Sequence, residues 1–324
     1  MSRTPLTALL ALAASLALAT NAAADWHVET LPTNGRVTAI DVDKATTRIQ
    51  IGQDWFELTP DLKLTSAQPI TRAAPPKGAL PDGRVATSDG DIKRTWLAAP
   101  TKRYDHGVLG DAIEAGELQI ERRDGTRGAV TLGNDAVFED LWPRIARLDG
   151  HDHIVVVKSY LVRGSALAVI DPATMRIAAE TPPIGHPHAW LNPAGIADFN
   201  GDGVTDIAVV RQPHVVGRLE LWSFKDGRLT KTAEVADVAN HIIGSRALGM
   251  SVVADVDGDG HPDLAVPSLD RKALRIIAFA PQVHDIARVA VPVRIATNLA
   301  GIMIDGKLAF LAGGDDGRLM LIKD

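Results

Sequence analysis

Short apolar runs rich in β-branched residues recur along the chain, each stopped by Gly, Asp, Asn or Pro. Arg48–Gly52, Ile154–Val157, Ile207–Val210, Arg218–Trp222 and Leu308–Ala312 are examples. The apolar positions alternate or run continuously over short spans, and no segment keeps a helical period for three turns. Such a pattern predicts strands joined by turns, and so an all-β protein.

One stretch departs from it. Leu6 to Thr20 is unbroken and rich in Leu and Ala, with Arg3 before it and Ala22, Ala23 and Ala24 after it. A positive start, an apolar middle and small residues at the end predict a secretory signal over residues 1–24. The run of about 15 residues is short of the roughly 20 that a membrane-spanning helix needs. No cysteine follows it to carry a lipid. Residues 25–324 contain no comparable run, so no span is expected after signal removal, and the location expected is periplasmic or secreted.

Within residues 25–324 the pattern repeats. Ala194–Val210 aligns with Ser251–Val266, and their leading aspartates, Asp198 and Asp255, are 57 residues apart. Weaker copies begin near Arg36, Arg84, Arg144 and Ala300. The starts are spaced by about 53 residues on average, which suits four-stranded propeller blades. The fold expected is a single β-propeller of six blades, or seven if Ser66 to Leu80 forms a further unit. The last unit has room for only three strands, and Trp26–Leu31 is expected to supply the fourth and close the ring.

The two clear repeats share a ladder of oxygen donors. Asp198, Asn200, Asp202 and Asp206 recur in one loop, with the Val204 carbonyl at the seventh position and Gly203 at the turn. Asp255, Asp257, Asp259 and Asp263 recur in the other, with the His261 carbonyl and Gly260. Hard oxygen ligands at this spacing are what Ca²⁺ requires. Several carboxylates held close together repel one another unless a cation lies between them. Valine, Val209 or Val266, stands where an EF-hand would place its twelfth-position Glu, and the flanks read as strands. Two structural calcium ions, each stapling a hairpin, are therefore expected.

At these residues the chain resembles the FG-GAP/VCBS repeat proteins, the group that includes the integrin α-subunit propeller. The matching residues are Asp198–Val210 and Asp255–Val266. The resemblance implies a β-propeller with calcium in blade hairpins. The Phe-Gly and Gly-Ala-Pro elements that give the family its name are absent.

Composition narrows the function. A formal charge of −6 argues against nucleic acid. The absence of cysteine removes thiol chemistry. Neither Gly-x-Ser-x-Gly nor His-Glu-x-x-His occurs. If the calcium hairpins occupy one face, the insertion Thr101–Asp111 and the connections between blades fall on the other. Candidate ligand-binding residues there are Arg103, Tyr104, His106, His186, His188, Trp190, Arg211, His214 and Arg271, with His241 and Arg246 near them. His186 and His188 are also a candidate half of a metal site. The function expected is a binding or scaffold module for a protein or glycan. The alternative is a polysaccharide-active lyase or hydrolase, with arginine and histidine on that face neutralising a uronate and moving a proton.

Overall fold

The computed structural model describes residues 25–324, and the expected signal, residues 1–24, lies outside the described residues. β1 (His27–Leu31) precedes four antiparallel strands, β2 (Val37–Asp43), β3 (Thr46–Ile51), β4 (Asp54–Leu58) and β5 (Leu64–Ala67). Residues 68–85 then lead to β6 (Ala86–Thr87), β7 (Ile92–Thr101), β8 (Glu114–Arg122) and β9 (Arg127–Thr131). The insertion between β7 and β8 carries a single 3-10 turn, Gly107–Leu109. β10 (Ala136–Phe138) follows, then β11 (Arg144–Leu148), β12 (His151–Tyr160), β13 (Gly164–Asp171) and β14 (Arg176–Glu180). Next come β15 (Leu191–Ala197), β16 (Asp206–Arg211), β17 (Arg218–Lys225) and β18 (Arg228–Val235). After them run β19 (Val252–Ala254), β20 (Asp263–Pro267), β21 (Ala273–Ala278) and β22 (His284–Ala290). The last strands are β23 (Ala300–Ile304), β24 (Lys307–Gly313) and β25 (Leu319–Lys323).

The protein is all-β, built of four-stranded antiparallel sheets. β2–β5, β15–β18 and β19–β22 are separate sheets in chain order. β6–β9 and β11–β14 are each four-stranded as well, and β10 joins them by pairing with both β8 and β12. β23–β25 gain their fourth strand from β1. It lies antiparallel to β25, with His27 opposite Lys323 and Leu31 opposite Leu319. The repeat starts read from the sequence fall on or within a few residues of β2, β6, β11, β15, β19 and β23. Residues 68–85 contribute only an isolated bridge, Ala79 to Ala98, and no sheet of their own. β10 was not anticipated. It is three residues long, and its partners are remote in sequence.

Antiparallel order puts the first hairpin of each sheet on one face and the second turn, with the connection to the next sheet, on the opposite face. The tight first hairpins use residues suited to positive φ. Asp305 and Gly306 join β23 to β24 at φ of 49° and 78°, as a two-residue turn between right-twisted strands demands.

The apolar core lies between successive sheets. Phe199, Val210 and Leu221 meet Leu264, Val266 and Ile277 between the β15–β18 and β19–β22 sheets. Ile40, Ile49 and Ile51 meet Leu311, Leu319 and Leu321 between the first and last sheets. Asp41 of β2 meets both Arg72 and Arg84, which come from the segment between β5 and β6.

Candidate functional site

The acidic loops join β15 to β16 and β19 to β20, both on the first-hairpin face. Their carboxylates accept hydrogen bonds from the loop's own backbone. Asp198 takes the N–H groups of Asp202 and Gly203, at 3.1 and 2.9 Å. Asp255 takes those of Gly258 and Gly260, at 2.8 and 3.0 Å. Gly203 and Gly260, at φ of 80° and 91°, let the chain curl round the acidic groups. Carboxylate oxygens of Asp255, Asp257 and Asp263 lie within 4.8 Å of one another. Burial first, and then the charges of Asp257, Asp259 and Asp255, push the Asp263 carboxyl up to about 6. A hard cation relieves that repulsion, so these residues fit calcium. The loops also touch each other. A Cβ added at Gly201 would lie 2.4 Å from the His261 ring.

On the opposite face a cavity of about 350 Å³ gathers side chains from separate segments. His106 and Val108 come from the β7–β8 insertion. His188 and Trp190 come from the connection into β15. Gln212, His214 and Val215 lie in the β16–β17 turn, and Ile243 in the connection into β19. Its rim is apolar, with Val215 and Ile243 71% and 66% exposed.

Hydrogen bonds fix the imidazoles. His106 Nδ1 lies 2.6 Å from Oε1 of Glu139, which is fully buried. The other Glu139 oxygen accepts from Ser159, whose Oγ is 2.5 Å from that of Ser165. Trp190 donates its indole N–H to the Glu139 carbonyl at 3.1 Å. His241 Nε2 lies 2.8 Å from the Ser245 carbonyl, which can only accept. That nitrogen therefore carries the proton, Nδ1 is an acceptor, and His214 donates to it from Nε2 at 2.8 Å. Burial holds both rings neutral, with His214 pushed down to about 3 and His241 to about 4.

Near Glu139 lies Glu114, 1% exposed, whose Oε2 has no hydrogen-bond partner among the described residues. Burial, and then the charges of Glu139, Asp111 and Asp140, push it up to about 10, so it is a neutral acid at pH 7. Burial also raises Glu139, whose hydrogen-bond donors His106, Ser159 and Ser165 favour its charged form.

The structure thus brings His106, His188, Trp190 and His214 together and leaves the arginines out. Arg103 donates to the Ala136 carbonyl at 2.6 and 2.9 Å. Arg211 pairs with Glu220 at 3.0 Å, and Arg271 donates to the Ile295 carbonyl at 2.9 Å. Tyr104 is buried beneath the cavity. Its hydroxyl accepts the His188 backbone N–H at 2.9 Å, and its ring packs on those of His106 and His188. Trp190 is 2% exposed, with His214 parallel to it, so it is a wall and not an open stacking platform. His186 is exposed and bonds Gln212 at 3.3 Å. Among the described residues Asp255, Asp257 and Asp263 form the one convergent set of three metal-capable side chains, so His186 and His188 complete no such set. Glu139, Ser159 and Ser165 were missed from the sequence. The available signal was an acidic pair, Glu139 and Asp140, set between apolar Ala136–Phe138 and Leu141–Trp142.

Residues 179–266, which contain both acidic loops, match the family model for the FG-GAP-like repeat. Residues 179–266 are thus an FG-GAP-like repeat region. No curated protein matches it in sequence. Among solved structures the chain is similar to the exotype rhamnogalacturonan lyase YesX, at 16% identity and a TM-score of 0.41, over 82% of this chain and 60% of that one. It is similar to a rhamnogalacturonan lyase of Bacillus licheniformis at 15% identity and 0.44, over 82% of this chain and 54% of that one. An auxiliary nutrient binding protein from Bacteroides thetaiotaomicron shares 10% identity at 0.42, over 89% of this chain and 68% of that one. The chain spans less than two thirds of the length of the two lyases. Among the described residues no helix is long and apolar enough to cross a membrane.

Proposed function

We propose that this protein is an exported, calcium-stabilised β-propeller of six four-stranded blades, closed by its N-terminal strand, which serves as a binding module. Its ligand is a group on a partner protein or glycan, received in the cavity between His106 and His214. The observation that carries this reading is the make-up of that cavity. Four connecting segments converge on it, its rim is apolar, and His214 on its wall is held neutral. The arginines that would favour an acidic polymer are engaged elsewhere. A site of this kind suits an uncharged or apolar group. Two calcium ions on the opposite face brace the hairpins and take no part in binding.

The test is a screen of glycans and displayed peptides against the whole protein. Ligands found should lose at least about tenfold in affinity with Val215→Glu or Ile243→Glu, while the response to chelators stays unchanged. Ligands indifferent to both substitutions would place the binding surface elsewhere.

One observation favours the enzyme reading. If Glu139 accepts the Nδ1 proton of His106, Nε2 is left as a general base in the cavity. Turnover of a polysaccharide or ester that disappears in His106→Ala would replace the binding module with this alternative.

A further inference from the structure

A second cavity, of about 370 Å³, lies where β2 meets the first strands β19 and β23. Its charged wall is organised around Asp41. Arg72 holds both oxygens of that carboxylate, at 2.6 and 2.8 Å, and also donates to the Val42 carbonyl. Arg84 stands 3.7 Å from the same carboxylate, beyond hydrogen-bond reach. Its guanidinium lies over the indole of Trp142, 4.5 Å from the ring centre. Among the described residues the Arg84 side chain donates no hydrogen bond.

That arrangement is incomplete on its own. A guanidinium carries five N–H donors in a rigid fork and keeps its charge at all ordinary pH. Here it is half-enclosed and repelled by Arg72, and it shares the Asp41 carboxylate only as an ion pair at 3.7 Å, without a hydrogen bond. Burial first, and then Arg72, act against its charged form, and Asp41 and Asp43 only partly offset them. Of the charged residues that line the cavity, Lys44 and Arg84 outnumber Asp41 by one. The remaining wall is apolar, with Val252, Val253 and Leu308 among its side chains.

We infer that this cavity binds a small monocarboxylate with an apolar body, the carboxylate seated on the Arg84 fork and the body against Trp142, Val252 and Leu308. A planar carboxylate matches the fork in two parallel hydrogen bonds. A dianion such as sulfate has no apolar part to bury and would be repelled by Asp41 and Asp43. The site is separate from the histidine-lined cavity and does not depend on its role.

Titration of the whole protein with hexanoate, followed by calorimetry, tests the inference. Hexanoate should bind saturably, and hexanol and sulfate each at least about tenfold more weakly. Arg84→Gln should weaken hexanoate by about tenfold or more, with its fold checked by circular dichroism. Arg72→Gln is an independent probe, because it frees Asp41 to pair with Arg84 and should weaken hexanoate as well. Val215→Glu, at the other cavity, should leave hexanoate binding intact. The inference is overturned by absence of saturable binding, by wild-type affinity in both arginine variants, by sulfate binding as tightly as hexanoate, or by loss of binding in Val215→Glu. Should Arg84→Gln fail to fold, Arg72→Gln and the hexanol comparison still decide.

Discussion

Glu139 is fully buried, and one of its oxygens lies 2.6 Å from His106 Nδ1 while the other takes the Ser159 hydroxyl. The carboxylate therefore links the cavity wall to the sheet interior, since β10, just before it, is wedged between β8 and β12. Glu139→Ala removes an acceptor from buried donors and leaves a void. It should destabilise the protein by about 2–4 kcal/mol. Glu139→Gln keeps the volume and one carbonyl and should cost less. Urea denaturation of the two variants checks the order, and equal costs would mean that the retained volume and carbonyl recover nothing of what the carboxylate supplies.

Glu114 gives the protein a defined pH dependence. Its pKa in the folded state is about 10 against an ordinary 4.5. Between those values the folded protein holds a proton that the unfolded chain has released. The contribution of this group is thus fully present below about 4.5 and is lost as pH rises toward 10. Glu114→Gln imitates the protonated form and should remove that loss. Its Tm should exceed that of the parent by more at pH 9 than at pH 5. Parallel Tm profiles for the two proteins would contradict this assignment.

The histidine cavity and the acidic loops differ in how far the sequence disclosed them, and the reason is physical. An acidic loop is local: Asp255, Asp257 and Asp263 fall within nine residues, so spacing alone implies proximity. The strand starts were equally visible, because turn residues and β-branched runs are local signals. The cavity is built from four segments spread along the chain from His106 to Ile243. Its histidines and Trp190 were recognisable as loop residues, but nothing local shows that Arg103 turns back to the Ala136 carbonyl or that Arg211 is held by Glu220. Buried partners such as Glu139 and Ser159 become visible only once the pairing of β10 is known.

Calcium removal should be measurable. A ligand that binds only the folded state stabilises it by about 2.7 kcal/mol for each site when present at a hundred times its Kd. Chelation should lower Tm, and added calcium should restore it. Asp202→Ala combined with Asp259→Ala should abolish most of that response. A Tm indifferent to chelator would remove calcium from both loops.

The pairing of β1 with β25 makes closure by the N-terminal strand testable. β1 covers the edge of β25 over five residues, from His27 opposite Lys323 to Leu31 opposite Leu319. Leu31 is 3% exposed and packs in the cluster that holds Leu319 and Leu321. Without β1, one side of β25 would present unpaired N–H and C=O groups and an uncovered apolar row, the condition that favours aggregation. Leu31→Ala should cost about 2–4 kcal/mol, as large-to-small changes in a packed core do. Thr30→Ala, on the exposed side of the same strand, should stay within about 0.5 kcal/mol. Deleting residues 25–31 should broaden the unfolding transition and promote association, and a peptide of residues 25–33 added in trans should reverse both. If the truncated protein unfolds at the parent Tm with the same cooperativity, the N-terminal strand is dispensable.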